Sequence, residues 1–156
     1  MKSKLFFENT RLLFDRFSIV PLLYGSLGLE YLTGCMLDSE DIDILIPEAF
    51  LKEKWHEFKD FLKEYGYILI DEHEHTFLKD GIHYSYASIE ELETFSGIII
   101  SDIPRFDLEV SFKLLTLEQY LRVYKESVKD GYRINTRKKK DKEKIDFIET
   151  MLKKEC

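Results

Sequence analysis

The chain has 156 residues, a net charge of −7, and 44 % hydrophobic and 14 % aromatic side chains. That supplies one domain with a real core and excludes a disordered chain, while the acidic balance argues against a protein that coats nucleic acid. Two cysteines, Cys35 and Cys156, make no disulfide framework, and no segment has the apolar length of a secretory leader or a membrane span, so a single cytoplasmic domain over residues 1–156 is expected.

Glycine and proline are scarce, so regular elements should follow one another closely. Residues Asn9 to Phe17 read as a short helix with Leu12, Leu13 and Phe17 on one face. "SIVPLLYG" reads as a strand that Pro21 confines to a sheet edge or to the strand's first residues. "SLGLEYLTG" has helical spacing, with Gly34 as its stop, and "DIDILIP" is a buried strand ended by Pro47. "EAFLKEKWHEFKDFLKEYG" predicts one long helix closed by Gly66. "YILIDEHEHTFLKDGIHYSYA" predicts two or three strands with a hairpin at Lys79 to Gly81. Ser88 and Glu91 form a capping box before "IEELETF", and Thr116 and Gln119 form another before "LEQYLRVYKESV". Between them "GIII" and "RFDLEVSFKLL" read as strands. The tail predicts a last helix with Ile145, Ile148, Met151 and Leu152 inward. The order implies an α/β or α+β fold, a small mixed sheet flanked by helices.

The chemistry concentrates in Tyr24 to Pro47. Side chains alternate across a strand, so Asp41 and Asp43 share one face while Ile42, Ile44 and Ile46 take the other. Two strand positions separate the acids by roughly 6–7 Å between Cα atoms. Both carboxylates can then reach one Mg²⁺, a hard ion that takes oxygen ligands, and a cation relieves their repulsion. Gly25-Ser26 supplies the complement: a glycine turn opening a helix lets backbone N–H groups approach an anion, and Ser26 adds a hydroxyl donor. Together they suit a magnesium–triphosphate. Each motif is common by chance, and the bland alternative is a strand start beside an ordinary turn.

Gly25-Ser26, a helix, then Asp41-x-Asp43 in an apolar strand resemble the signature of the DNA polymerase β-like nucleotidyltransferase superfamily. The pattern is most similar to its small bacterial members, which include antibiotic and minimal or antitoxin-type nucleotidyltransferases. "LLTLEQYL" and the "KD" step in "RKKKDKEKIDFI" resemble their closing helices. The resemblance implies Mg²⁺ held by Asp41 and Asp43, an NTP as substrate with phosphates at Gly25 and Ser26, and transfer of a nucleoside monophosphate to an acceptor hydroxyl. It also raises a role for Arg137, Lys138, Lys139 or Lys140 on the triphosphate, against the simpler reading of a solvated helix start.

The resemblance further implies a third acid on a later strand, and here the chain departs from it. By order of elements that strand is "GIHYSYA", which offers Tyr84, Ser85 and Tyr86. The substitutes are Glu74 and the pair Asp107 and Glu109, with Asp107 taken as the catalytic acid. The departure motivates a second expectation, a degenerate binding module that partners a toxin, an antitoxin or a regulator. "HEH", His73 to His75, has metal-ligand spacing on a strand face, against solvated hairpin histidines. Tyr120, Tyr124 and Tyr132 offer a platform for a base or substrate ring, against core packing. The acceptor is a small molecule or a macromolecule, and a chain this short has reason to complete its acceptor site as a homodimer.

Overall fold

The computed structural model describes residues 2–129 and 135–155. Its elements run α1 (Lys2–Phe17), β1 (Leu22–Tyr24), α2 (Gly25–Thr33), β2 (Ile42–Ile46), a 3-10 turn (Glu48–Leu51), α3 (Trp55–Glu64), β3 (Ile68–Asp71), β4 (Thr76–Lys79) and β5 (Ile82–Ser88). They continue with α4 (Ile89–Ser96), a second 3-10 turn (Ile100–Asp102), β6 (Arg105–Asp107), β7 (Ser111–Leu114), α5 (Leu117–Lys129) and α6 (Asn135–Glu155). The strands form one mixed sheet in the order β3-β4-β5-β2-β1-β7-β6. β2 lies parallel to β5 and antiparallel to β1, and β1 lies parallel to β7.

β2 shows how the sequence builds two cores. Ile42, Ile44 and Ile46 join Phe6 and Leu13 of α1 and Phe58 and Leu62 of α3 in one buried cluster. Leu45 joins a second cluster with Leu92 of α4, Tyr120 and Val123 of α5 and Ile148 of α6. The strand is thus covered on both faces, and its three isoleucines are fully buried. Each contributes about 1.5–3 kcal/mol of transfer free energy, enough to hold a strand that also presents an acid. The expected α+β architecture is present, and among the described residues no helix is long and apolar enough to cross a membrane.

Several boundaries differ from the sequence reading. α1 begins seven residues before Asn9, at Lys2; its buried stripe is Phe6, Asn9, Thr10 and Leu13, and the two polar members hide the helical period. β1 is central rather than an edge strand. Pro21 stands just before its first residue, and its carbonyl accepts from the Lys113 N–H of β7 at 2.8 Å. The long predicted helix is broken between Leu51 and Trp55, which lets Phe50 and Phe58 both pack on Phe17, at 5.2 and 5.9 Å between ring centroids. "GIII" makes no strand. The Ser96 hydroxyl takes the Ile98 N–H at 3.2 Å and the Glu93 carboxylate takes that of Ile100 at 3.2 Å, so local side chains occupy amides a ladder would need. Glu109 falls in the β6–β7 turn, so it does not share a strand face with Asp107.

One capping box is formed on both sides and the other shows its N-cap half. The Ser88 hydroxyl accepts from the Glu91 N–H at 3.1 Å. Thr116 and Gln119 are reciprocal: each backbone N–H donates to the other's side-chain oxygen, at 3.0 and 3.1 Å. The second box sets the start of α5 and so the placement of Tyr120 and Tyr124 over the sheet.

Candidate functional site: a cleft at the junction of three strands

The site begins at the step from β1 into α2. Tyr24 ends β1 directly opposite Asp43 of β2, and Gly25 turns the chain with φ of 65°. A Cβ on Gly25 would collide with the Asp43 carboxylate. Glycine is required twice over, by the left-handed backbone and by the acid pressed against it. The side chain of Tyr24, at the N-cap, does not cap α2, and the first turn of the helix carries no acid of its own; the carboxylate nearest its start is that of Asp43.

Asp41 and Asp43 line the same cleft as Gly25 and Ser26, which has a volume of 690 Å³. Asp43 is half-buried, in register with Ser85 of β5. Asp41, at the bend before β2, has a side chain 49 % exposed and 3.3 Å from Nδ1 of His83. Ser85 is tied across to β4 by a 3.0 Å contact between its hydroxyl and that of Thr76.

The lining has two unlike halves. On the β1 side, α5 and α6 contribute Tyr124, Ser127, Lys140, Asp141 and Lys144. On the β4–β5 side, the 3-10 turn after β2, the β3–β4 turn and α4 contribute Glu48, Lys52, His73, Glu74, His75 and Glu91. The Lys52 ammonium is engaged by Glu48 at 3.2 Å.

Beneath the glycine turn lies Tyr120. It is fully buried, and its hydroxyl donates to the Gly25 carbonyl at 3.2 Å. Burial pushes its pKa well up, with the neighbouring tyrosines and Asp43 adding to the effect, so it stays a neutral donor. A Cβ on Gly28 would overlap that hydroxyl, so the second glycine of α2 makes room for the contact. The Tyr120 ring lies nearly parallel to Tyr24 (6.4 Å, 17°) and to Tyr124 (6.1 Å, 13°). Tyr24 and Tyr124 both line the cleft. Of the three tyrosines offered as a platform, Tyr120 is core, Tyr124 reaches the cleft, and Tyr132 lies outside the described residues, as do the side chains of Arg137, Lys138 and Lys139. Lys140 is exposed and lines the cleft.

Of the acids expected to supply a third carboxylate, the structure brings one to the cleft. Glu74 sits in the β3–β4 turn, its N–H held by the Asp71 carboxylate at 3.1 Å. Asp107 stands apart: β1 and β7 separate its strand from β2. Its carboxylate accepts from the Ser111 hydroxyl at 2.7 Å and from Arg105 at 2.9 Å, which hold its pKa below the usual aspartate range. The catalytic role given to Asp107 is therefore corrected on position. The "HEH" residues occupy a turn rather than a strand face, and His75 packs edge-on against Trp55 at 4.8 Å between centroids. Burial lowers its pKa, favouring the neutral ring.

Sequence reasoning missed Asp141 and Lys144 as cleft residues. Asp141 is only 4 % exposed, although it stands in a run of lysines that reads as solvated. The "KD" step was its one local signal.

Among the described residues no three His, Cys, Asp or Glu side chains converge to hold a metal alone. Mg²⁺ keeps waters and binds through one or two carboxylates plus substrate phosphates rather than in an all-protein cage. The Gly25 turn against Asp43 leaves backbone, not a side chain, beside that carboxylate, so the residues fit a magnesium-borne phosphate.

No family model matches the chain, and no solved structure matches it. Among curated proteins it is similar to the Bacillus subtilis (strain 168) protein named "Uncharacterized protein YnaI". The two are 41 % identical over 136 residues, covering 86 % of this chain and 87 % of that one.

Proposed function

The chain belongs to the same family as YnaI of Bacillus subtilis, and on the geometry of the cleft we propose that it is a Mg²⁺-dependent nucleotidyltransferase moving a nucleoside monophosphate from an NTP to an acceptor hydroxyl. The observation that carries the reading is the close approach of the Asp43 carboxylate to Gly25, where only the lack of a side chain leaves room for it at the start of α2. It sets an anion cradle and a cation-binding acid side by side, as a metal–phosphate substrate requires.

In this reading Asp41 and Asp43 hold the metal, which supplies charge neutralisation on the phosphates. The α2 amides and the Ser26 hydroxyl bind phosphate oxygens, and Lys140 adds a cation from α6. The acceptor oxygen attacks the α-phosphorus, the bond to the β-phosphate oxygen breaks, and pyrophosphate leaves with that electron pair. The acceptor proton passes to a cleft carboxylate, for which Glu74 has the position. Phosphoryl chemistry of this kind depends mainly on positioning and electrostatics, which the rigid β1–β2 pair provides.

One observation favours a second reading. Ser85 occupies the place beside Asp43 on the neighbouring parallel strand, where an acid would complete the set. A binding module that keeps nucleotide affinity without turnover accounts for it. Calorimetry with each NTP in Mg²⁺, followed by a pyrophosphate-release assay with candidate acceptors, separates the two. Binding with release supports the enzyme. Binding without release under any acceptor supports the module, and absence of binding by all four nucleotides overturns both.

A further inference from the structure

Among the described residues β3 and β6 end the sheet, and only one of them is regular. β3 carries a register shift between Leu69 and Asp71, an irregularity of the kind that spoils edge-to-edge pairing. In β6, Arg105, Phe106 and Asp107 pair in unbroken register with Lys113, Phe112 and Ser111 of β7, and all three are exposed. The Pro104 carbonyl accepts from the Leu114 N–H, and the Leu108 N–H donates to the Val110 carbonyl. By antiparallel alternation the backbone groups of residues 104, 106 and 108 face β7, and those of Arg105 and Asp107 point outward. Pro104 does not blunt this edge, because the N–H it lacks would have faced β7.

We propose that β6 pairs antiparallel with β6 of a second copy of this chain, about a two-fold axis through Phe106. This goes beyond the nucleotidyltransferase reading and does not depend on it. In that register Arg105 of each copy faces Asp107 of the other, and their outward N–H and C=O groups bond in both directions. Charge favours a second copy as the partner. Arg105 stands beside Lys113 across the ladder, a like-charge pair partly offset by Asp107 of the same strand, 2.9 Å from Arg105. Asp107 of the second copy adds an anion on the open side. The Arg105 and Asp107 side chains are 51 % and 63 % exposed, so both can be reached. Glu109, in the β6–β7 turn, and Glu118, on α5, are exposed and lie outside the paired residues. The same register matches apolar groups. Leu108, 63 % exposed, comes opposite Pro104 of the second copy, which lines a groove of 220 Å³ with Leu32, Phe106, Leu114 and Leu117. A leucine and a groove on each copy make a self-complementary contact. Phe106, stacked on Phe112 at 5.7 Å, meets its own copy on the axis. β7 and β1 stand between β6 and β2, so this dimer leaves both clefts open and completes neither.

Sedimentation equilibrium from about 10 µM to about 1 mM spans the affinities of a small interface. Wild type is expected to dimerise. Arg105→Asp and Asp107→Arg are each expected to weaken association by at least about tenfold, because like charges then face each other. An equimolar mixture of these two variants is expected to form a heterodimer, since every aspartate then faces an arginine. Leu108→Ser leaves the charges alone and is expected to weaken the dimer by about tenfold. All three substituted side chains are exposed, and circular dichroism reads whether each variant keeps its fold. A wild type that is monomeric throughout overturns the proposal and leaves the edge to a different chain or to solvent. Dimers unaffected by either charge reversal also overturn it, by placing the contact elsewhere. Two folded, monomeric variants that stay apart on mixing overturn it as well.

Discussion

Two regions of the sheet bring together acids two residues apart, Asp41 and Asp43 at the start of β2, and Asp107 and Glu109 at the end of β6 and in the turn after it. Their surroundings decide what each can do. Asp43 is half-buried between β1 and β5, and the backbone of Gly25 is pressed against its carboxylate. Asp107 sits on an edge strand with a side chain 63 % exposed, already engaged by Arg105 and Ser111. An acid held by solvent and neighbours needs no ligand. An acid held in a concave site beside another acid gains from a nearby cation, and a central strand with both faces buried can bear that local cost. Position in the sheet, more than the local pattern, separates the acid that lines the cleft from the acid at the edge.

The sharpest way to break this comparison is to neutralise each acid in turn. Asp43→Asn is expected to weaken Mg·NTP binding by about a hundredfold or more, the scale of removing one charge from a paired site, while the fold stays at least as stable because a like-charge repulsion with Asp41 is relieved. Asp107→Asn is expected to leave nucleotide affinity unchanged. Calorimetry and thermal melts on the two variants read both quantities. Equal effects from the two substitutions would sink the distinction.

Next in size is Gly25→Ala. The new methyl group meets the Asp43 carboxylate, and the backbone at φ of 65° disfavours any side chain. A stability loss of about 1–2 kcal/mol from the left-handed conformation is expected in chemical denaturation, together with a fall in NTP affinity. A variant as stable as wild type with full affinity would show that the turn does not depend on this close approach.

How much of this is legible in the sequence follows the same division. β2 is legible because three isoleucines alternate with the acids and Pro47 ends the run. The turn into α2 is legible because glycine and serine precede a helical period. The two capping boxes are legible because four residues suffice to define each. Which of the expected acids reaches the cleft is not, since Asp107 and Glu74 look equivalent until the strand order is known: hydrogen bonding of β7 to β1 carries Asp107 away from β2. Asp141 and Lys144 are hidden for another reason. They lie in a charged helical run, and only the packing of α6 on α5 turns part of that run toward the cleft. α1 is shortened in the sequence reading because half its buried stripe is polar.

A finer test addresses how the glycine turn is held. Tyr120→Phe removes only the hydroxyl that donates to the Gly25 carbonyl, leaving the ring between Tyr24 and Tyr124. The expected stability loss is about 0.5–1.5 kcal/mol, the net worth of one hydrogen bond. Affinity for Mg·tripolyphosphate should fall with it, since the α2 amides lose a fixed reference. A stability loss with no change in tripolyphosphate affinity would confine Tyr120 to the core and detach it from the site.

The smallest effect belongs to β6 and sharpens the contrast from the other side. Hydrogen bonds from Ser111 and Arg105 hold the Asp107 carboxyl below its ordinary pKa. A depressed acid binds fewer protons when folded, so its contribution to stability is present above the unfolded pKa and is lost as pH falls through the folded one. Because the group is exposed, the contribution is small and salt-screened. Carboxyl NMR titration of wild type should place Asp107 below a free aspartate, and Ser111→Ala should return it toward the ordinary value without altering NTP binding. A titration at the ordinary value in wild type would mean that the Ser111 and Arg105 contacts do not persist in solution. Asp107 would then be an uncommitted surface acid, still remote from the cleft but no longer explained by its partners.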